Sequence, residues 1–254
     1  MICHTMSAQV SAMEFVIQAV KSGEISQSAI QASVNRLTGL KSRCFSPSTI
    51  ERSPASEPAT LDSTSARHAG LAKAIFAKST TLVRSVPGSI PISKDPASKI
   101  VFLSPAKPPL PGGAVDSGEE KTREPYTPAS YITLLRACNP SVIDVRFYDE
   151  KPFTREIEDQ IASADTVILV TRDASLRPYQ KTLGLSLGAK LGEKLIVIAT
   201  CDPYDFIDEK DTVKNYMTIY DPPTPAFEAA VDVLFGTSKA NGVLPVSVSI
   251  HREA

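Results

Sequence analysis

Tryptophan is absent from this 254-residue chain, and aromatic residues make up only 6% of it. Many carbohydrate-binding surfaces stack sugar rings on aromatic side chains, so the composition disfavours a stand-alone carbohydrate-binding platform. The formal net charge is −1, from 27 basic and 28 acidic residues. This balance offers no electrostatic basis for attraction to nucleic acid or to an anionic membrane. We therefore expect neither a nucleic-acid partner nor a membrane partner.

Clustered metal ligands and phosphate-binding loops are also lacking. The four cysteines form no CxxC pair, and the three histidines lie far apart along the chain, whereas a zinc site needs clustered ligands. Gly184, Gly188 and Gly192 have GxxxG spacing, but they lie in a helical pattern that precedes a strand. A dinucleotide-binding fingerprint instead follows a strand and opens a helix. These glycines indicate close helix packing, and we expect no metal and no cofactor.

The sequence predicts neither a membrane-spanning segment nor a secretory signal. No stretch approaches the roughly 20 apolar residues that a transmembrane helix requires. Residues 1–15 lack the basic start and apolar run of a secretory signal. The expected location on these grounds is the cytoplasm.

Residues 1–45 predict two amphipathic helices. Apolar residues recur at helical spacing over 7–21, and Gly23 ends that pattern. Ser26 is a suitable N-cap for a second helix. Two helices alone bury little surface, so this segment needs a partner against which to pack. The apolar residues concerned are Val10, Met13, Ile17, Val20, Ile30, Val34, Leu37 and Leu40.

Two stretches predict connecting segments. Residues 46–65 are rich in Ser, Pro and Thr with little apolar content, which is typical of a linker. Residues 104–128 combine prolines, glycines and a charged run, which predicts a long surface loop.

From residue 66 onward, helices and strands alternate. Continuous apolar strands between amphipathic helices indicate a mostly parallel sheet that is covered on both faces. The predicted fold of residues 66–254 is an α/β sandwich with five or six strands. The predicted strands are 99–103, 142–148, 166–171, 195–200 and 216–220, and the predicted helices are 66–79, 129–137, 154–164, 179–191 and 225–235.

Candidate binding residues follow two of the predicted strands. Loops at the carboxyl ends of parallel strands line the crevice of open α/β sheets. Asp202 and Asp205, in the turn after 195–200, could accept hydrogen bonds from sugar hydroxyls; alternatively, an Asp in such a turn caps the next segment. Arg172 and Asp173 follow 166–171, and they could pair with each other or face a neighbouring domain.

His4 is a further candidate because it lies just after an apolar start, at what could be the end of a strand. Histidine is the usual proton carrier near neutral pH. A lone histidine can equally have a structural role, and the sequence leaves both open.

Three segments, taken in order, resemble family 3 glycoside hydrolases of the β-N-acetylglucosaminidase type. Residues 71–92, LAKAIFAKSTTLVRSVPGSIPI, are similar to the entry to that family's carboxy-terminal domain. Residues 195–206, LIVIATCDPYDF, resemble its strand followed by an N-P-Y-D turn, although Cys201-Asp202 stands where Arg or Asn is expected before Pro-Tyr-Asp. Residues 224–248, TPAFEAAVDVLFGTSKANGVLPVSV, resemble its closing motif.

Residues 1–45 resemble the last unit of the family's (β/α)8 barrel, with its "SGE(I/L)" motif and a helix ending in "LK". The resemblance implies an α/β carboxy-terminal domain preceded by a barrel remnant, and His4 at the barrel mouth. The family's nucleophilic aspartate and its Asp–His acid/base pair lie upstream in the barrel, so neither maps onto this chain. No catalytic residue is therefore identified; Arg172, Asp173, Asp202, Asp205 and His4 are substrate-pocket candidates.

The sequence leaves three functional alternatives, of which the resemblance implies the first two. The first is part of an enzyme that cleaves terminal β-N-acetylglucosaminides, inactive as this chain alone and needing a barrel that packs on residues 1–45. The second is a non-catalytic carbohydrate-binding or interaction module derived from such an enzyme. An unrelated flavodoxin-like domain that binds a nucleotide is the third, and the lack of a phosphate loop counts against it.

Overall fold

A computed structural model of the chain describes residues 6–45, 58–106, 129–148 and 151–246. The described residues form two compact units, and the division between them falls at residue 67, inside a long helix. The first unit is helical and the second has the α/β fold.

The first unit contains helices α1 (Met6–Lys21) and α2 (Gln27–Cys44), which confirms the two predicted helices. Gly23 ends α1 with a φ of 81°, a left-handed conformation that glycine adopts without a steric cost. The Ser26 side chain caps α2 by accepting a hydrogen bond of 3.2 Å from the Ala29 N–H. Neither helix has a buried residue, so both predicted apolar faces remain open.

Helix α3 (Pro58–Ser79) begins eight residues earlier than the pattern predicts. Residues 58–65 of the predicted linker are therefore helical, and residues 46–57 lie outside the described residues. Proline is well tolerated in the first turn of a helix, where its missing N–H has no partner to lose. Of the predicted surface loop at 104–128, the first two residues belong to a strand, and 107–128 lie outside the described residues.

A six-stranded sheet forms the centre of the second unit, with strand order β1-β6-β5-β4-β2-β3. Strand β1 pairs with β6 in the antiparallel direction, and all other neighbours are parallel. The predicted mostly parallel α/β fold is thus confirmed. The strands are β1 (Thr81–Arg84), β2 (Ile100–Pro105), β3 (Ile143–Phe147), β4 (Thr166–Thr171), β5 (Leu195–Ala199) and β6 (Asn215–Thr218).

Helices cover both faces of this sheet. One apolar core joins the sheet to α4 and α7, and a second joins the opposite face to α5 and α6. The arrangement has three layers, because the strands are apolar on both sides. Among the described residues, no helix combines the length and apolar character that would let it cross a membrane. The helices are α4 (Ala129–Cys138), α5 (Arg155–Ser163), α6 (Pro178–Leu191) and α7 (Thr224–Leu234).

The GxxxG spacing in α6 serves close packing, as the sequence predicts. A Cβ atom at Gly188 would lie 2.6 Å from the backbone oxygen of Thr212, and one at Gly184 would overlap the ring of Phe206. Both contacts involve the segment that connects β5 to β6. Gly184 and Gly188 therefore let α6 approach that segment. The prediction of close packing is wrong for Gly192, which lies just past the end of α6 with a φ of 57° and has no atom within 4 Å of a Cβ position.

The strand order changes direction between β2 and β4. From β2 the chain moves outward to β3, and from β4 it moves the opposite way to β5 and then β6. Helix α4, which follows β2, lies on one face of the sheet, and α5, which precedes β4, lies on the other. A crevice at the carboxyl ends of the strands is expected at such a topological switch point.

Candidate functional site

The carboxyl ends of the parallel strands meet at one side of the sheet, which we call the carboxyl edge. It comprises Ser104 at the end of β2 and the segments 172–177, 200–205 and 219–223, which follow β4, β5 and β6. Strands β4 and β5 are neighbours in the sheet. The segments that follow them are therefore adjacent, and they carry four of the five candidate residues.

Arg172 and Asp173 pair with each other at this edge, one of the two arrangements that the sequence left open. The distance from Arg172 Nε to Asp173 Oδ2 is 3.8 Å, and the side chains are 24% and 25% exposed. The Arg172 N–H donates a hydrogen bond of 2.9 Å to Oε1 of the buried Gln180. Asp173 has a φ of 52°, an uncommon conformation for a residue other than glycine, and such strain clusters at functional sites.

Asp202 lies across from Asp173, on the segment that follows β5. Partial burial raises the pKa of the Asp202 carboxyl, and the negative charge of Asp173 raises it further. Two carboxylates from adjacent segments thus act on each other at a partly open surface. Such groups are available as hydrogen-bond acceptors.

Asp205 is fully buried, unlike the other three candidates. Its Oδ2 accepts a hydrogen bond of 2.7 Å from Thr171 Oγ1, and its Oδ1 accepts one of 3.3 Å from the Ser175 N–H. Burial raises the pKa of Asp205 to about 6, and these hydrogen bonds oppose that rise. The placement fits the alternative in which an Asp of the turn holds a neighbouring segment, so we assign Asp205 a positioning role.

Other side chains fix the backbone around Asp205. Lys181 Nζ donates a hydrogen bond to the Asp205 carbonyl. The Arg84 guanidinium donates hydrogen bonds of 2.7 Å and 3.0 Å to the carbonyls of Val213 and Ile207. Contacts from α6 and β1 therefore hold the segment between β5 and β6, and with it the position of Asp202.

Three residues that the sequence reasoning did not select also interact here. Tyr131 on α4 is 1% exposed and stacks on the ring of Phe227 at a centroid distance of 3.7 Å. Burial raises its pKa, and the negative charge of Asp221 acts in the same direction. Burial raises the pKa of Cys201 to about 11, and the Arg172 charge opposes that rise.

Asp221 directly follows the predicted strand 216–220, just as Asp202 lies in the turn after the predicted strand 195–200. The same rule could therefore have selected Asp221 from the sequence. Cys201 lies in the selected turn, but it was considered there only as the residue before Asp202. Tyr131 lies on a helix that follows a long connection, and no local pattern distinguishes it from a core aromatic residue. His4 lies outside the described residues.

A separate cavity of about 720 Å³ lies between α5 and α6. Its volume suits a small molecule, but none of the candidate residues contributes to it. We base the site on the carboxyl edge because ionisable groups from several segments interact there. The cavity is lined by Lys151, Pro152, Phe153, Glu158, Asp159, Ile161, Ala162, Tyr179, Thr182, Leu183, Ser186, Leu187, Lys190 and Leu191.

The carboxyl edge offers hydrogen-bonding groups of both kinds. Carboxylates supply acceptors, while the Arg172 guanidinium supplies donors. Within the described part of the chain, no group of three or more His, Cys, Asp and Glu side chains is arranged to hold a metal ion. The arrangement can therefore bind and orient a polar ligand.

Solved structures of family 3 glycoside hydrolases match this chain. A fungal multi-domain family 3 β-N-acetylglucosaminidase with a GCN5-related glucosamine N-acetyltransferase region is 27% identical, with a TM-score of 0.73. A family 3 β-N-acetylglucosaminidase from Paenibacillus is 25% identical, with a TM-score of 0.66. These matches confirm the resemblance that the three sequence segments indicated.

Each of the two matches covers 97% of this chain, but only 26% of the fungal protein and 44% of the bacterial one. The chain thus spans less than half the length of either. A β-glucosidase from Listeria innocua, 18% identical with a TM-score of 0.59 over 88% of this chain and 33% of its own, shares the fold. No protein-family model matches the chain, and no curated protein matches it.

Proposed function

We propose that this chain is the carboxy-terminal part of a glycoside hydrolase that cleaves terminal β-N-acetylglucosaminides. The observation that carries the proposal is the match over 97% of the chain to two family 3 β-N-acetylglucosaminidases. The chain corresponds to a minority of each of those proteins. In the proposed enzyme, a (β/α)8 barrel supplies the nucleophile and the acid/base pair, and the chain alone is inactive.

The open apolar faces of the first unit support a partner of this kind. On α1, Met13 is 55% exposed and Ile17 is 52% exposed, and on α2, Leu37 is 59% exposed. Helices whose apolar faces remain in water are expected to pack against another surface. In the proposed enzyme, that surface belongs to the barrel, of which residues 1–45 form the last unit.

The carboxyl edge supplies contacts to the sugar in this proposal. Asp173 and Asp202 accept hydrogen bonds from sugar hydroxyls, and Arg172 orients Asp173. Asp205 holds the segments that carry these side chains, through its hydrogen bonds to Thr171 and Ser175. His4, at the mouth of the barrel, is proposed to line the same pocket.

Hydrolysis of an aryl β-N-acetylglucosaminide tests the proposal. The purified chain is expected to show no turnover, whereas a chain extended by the barrel encoded upstream is expected to be active. An aryl β-glucoside serves as the control substrate. Turnover by the 254-residue chain alone, or an upstream sequence without a barrel, would overturn the proposal.

A substitution in the extended enzyme separates binding from chemistry. Asp202→Asn is expected to raise KM by about 3- to 10-fold with a smaller effect on kcat, because one hydrogen bond to the bound sugar is weakened. Asp211→Asn, on the same segment but exposed, is the matched control and should leave both parameters unchanged. An unchanged KM for Asp202→Asn would remove Asp202 from the sugar pocket.

The exposed apolar faces of α1 and α2 also favour the second candidate function, a non-catalytic interaction module. Such a module would bind a separate barrel-containing chain. Size-exclusion chromatography of the chain with an isolated barrel would show a stable complex in that case. The barrel's own activity would then not depend on the chain.

A further inference from the structure

We propose that the cavity between α5 and α6 is a binding site for a short apolar peptide with free termini. The side chains of the peptide lie on the apolar floor of the cavity, its ammonium group faces α5 and its carboxylate faces α6. This site goes beyond the proposed function, because no residue of the carboxyl edge lines the cavity.

The cavity provides room for such a ligand. Its volume of about 720 Å³ lies within the range of roughly 300–1,000 Å³ that is usual for small-molecule sites. Ile161 and Leu187 lie deepest, each 5% exposed. Half-buried Phe153, Leu183 and Leu191 lie beside them, so most of the lining is apolar or aromatic. The described residues leave this apolar surface open to a ligand.

Hydrogen bonds join the two walls at both ends of the cavity. The Tyr179 hydroxyl, in the first turn of α6, donates a hydrogen bond of 3.1 Å to the carbonyl of Lys151, shortly before α5. Lys194 Nζ, shortly after α6, donates one of 3.1 Å to the carbonyl of Ala164, the C-cap of α5. Close packing at Gly188 holds α6 from its other side. We therefore expect the cavity to persist in the free chain, so that a ligand binds without having to open it.

Groups of opposite charge stand on opposite walls. Glu158 and Asp159 lie on α5, and Lys190 lies on α6. Within the described ranges, no ion pair involves any of these three side chains. Lys151 also lines the cavity, but its Nζ lies 5.1 Å from the ring centroid of Tyr148, which is outside the lining. A ligand with one ammonium and one carboxylate complements both walls, whereas a ligand of one sign meets a like charge on one of them.

Two hydroxyls on α6 favour a peptide among ligands that carry both charges. Thr182 and Ser186 both line the cavity, and their spacing of four residues places them on the same side of the helix. Each hydroxyl donates and accepts, so it can bond to the N–H or the C=O of a peptide bond. A single amino acid has no peptide bond to offer them and fills less of the volume.

NMR titration of the chain with the dipeptide phenylalanyl-leucine tests the proposal. At about 10 mM, this dipeptide would occupy most of a site with a Kd of about 1 mM. The amide signals of Ile161, Leu183 and Leu187 are expected to shift, whereas that of Asp202 at the carboxyl edge is not. Seryl-serine has the same terminal charges but no apolar side chains, and as the ligand control it should leave all these signals unchanged.

Capped dipeptides and exposed-site variants together test the assignment of the charges. N-acetylation removes the ammonium and is expected to weaken binding by about 2- to 5-fold, the range of exposed ion pairs. Glu158→Gln combined with Asp159→Asn should weaken the free dipeptide equally, and should bind the free and acetylated forms alike. Lys190→Met should likewise bind the carboxylate and carboxamide forms alike. Glu156→Gln, at an exposed carboxylate of α5 outside the lining, is the matched control.

Filling the cavity tests its location without altering any charge. Ala162→Phe adds a ring at a lining residue and is expected to abolish the shifts, whereas Ala189→Phe, at a residue of α6 outside the lining, should preserve them. Both alanines are exposed, so neither change is expected to unfold the chain. No shift with phenylalanyl-leucine, equal affinity of the wild type for the free and acetylated forms, or unaltered binding by Ala162→Phe would overturn the proposal.

Discussion

The two units of this chain differ in how far their apolar residues are buried. In the α/β unit, β2 and β5 are buried along their whole length and β4 at all but its first residue; these three strands contribute side chains to cores on both faces of the sheet. In the helical unit, α1 and α2 each carry an apolar face, yet none of their residues is buried. The same kind of pattern therefore gives a stable core in one unit and an open surface in the other.

The difference shows that an apolar pattern identifies a surface to be covered, but not what covers it. The α/β unit contains every layer that its sheet needs. In the helical unit, the apolar faces of α1 and α2 are not covered by the described residues. Matched substitutions in the two units test this difference in burial.

The largest expected effect comes from paired truncations of phenylalanine. Phe102→Ala, in a fully buried side chain of β2, is expected to lower the free energy of unfolding by about 3–5 kcal/mol because it leaves a cavity. Phe15→Ala, at a residue of α1 that is 76% exposed, is expected to change it by less than about 0.5 kcal/mol. Urea unfolding measures both, and similar losses would show that α1 is packed in the free chain.

The pH dependence of stability should also belong to the α/β unit. The pKa of buried Asp205 is raised to about 6, so the folded chain holds this proton more tightly than the unfolded chain does. Stability is then greatest below the unfolded pKa, and it is lost as the pH rises through about 6. The expected loss is about 3 kcal/mol, from a shift of roughly two pKa units.

Urea unfolding at several pH values between 4 and 8 measures this decline. Asp205→Asn should flatten it, because the amide does not titrate. Glu14→Gln, at an exposed carboxylate of α1, should leave the decline as it is. An equal decline in wild type and Asp205→Asn would assign it to a different group.

The smallest of the three effects comes from glycine substitutions in helices of the two units. Gly188→Ala in α6 would bring a Cβ to 2.6 Å from the Thr212 oxygen, so we expect a loss of about 1–3 kcal/mol. Gly39→Ala in α2 meets no atom within 4 Å and should stabilise its helix by about 0.5–1 kcal/mol. Unfolding monitored by circular dichroism compares them, and a stabilising Gly188→Ala would refute the close packing of α6.

The central strands and most helices of the fold could be predicted from the sequence. The range 166–171 is correct at both ends because its apolar run is bounded by polar residues and is buried on both faces. The start of α3 could not be placed, since the polar first turns of that helix resemble a linker. The antiparallel direction of β1 was also not predictable, because it depends on pairing with β6 at the far end of the unit.

The candidate site was only partly predictable for a related reason. The rule that loops follow strand ends selected Arg172, Asp173, Asp202 and Asp205, and the structure brings these four to one edge. Sequence alone did not show that Asp205 is buried while Asp202 is partly open, because that depends on the Thr171 hydroxyl that contacts Asp205. Tyr131 acquires its place only when α4 packs on β2.

The pairing of β1 with β6 also constrains how the α/β unit is made. Thr81 lies opposite Thr218, so the first strand of the unit to be synthesised pairs with the last one. Such non-local pairing is slow to form, and it cannot begin until nearly all of the chain has been synthesised. During translation, β1 therefore lacks its partner until β6 has been made, and its addition completes one edge of the sheet.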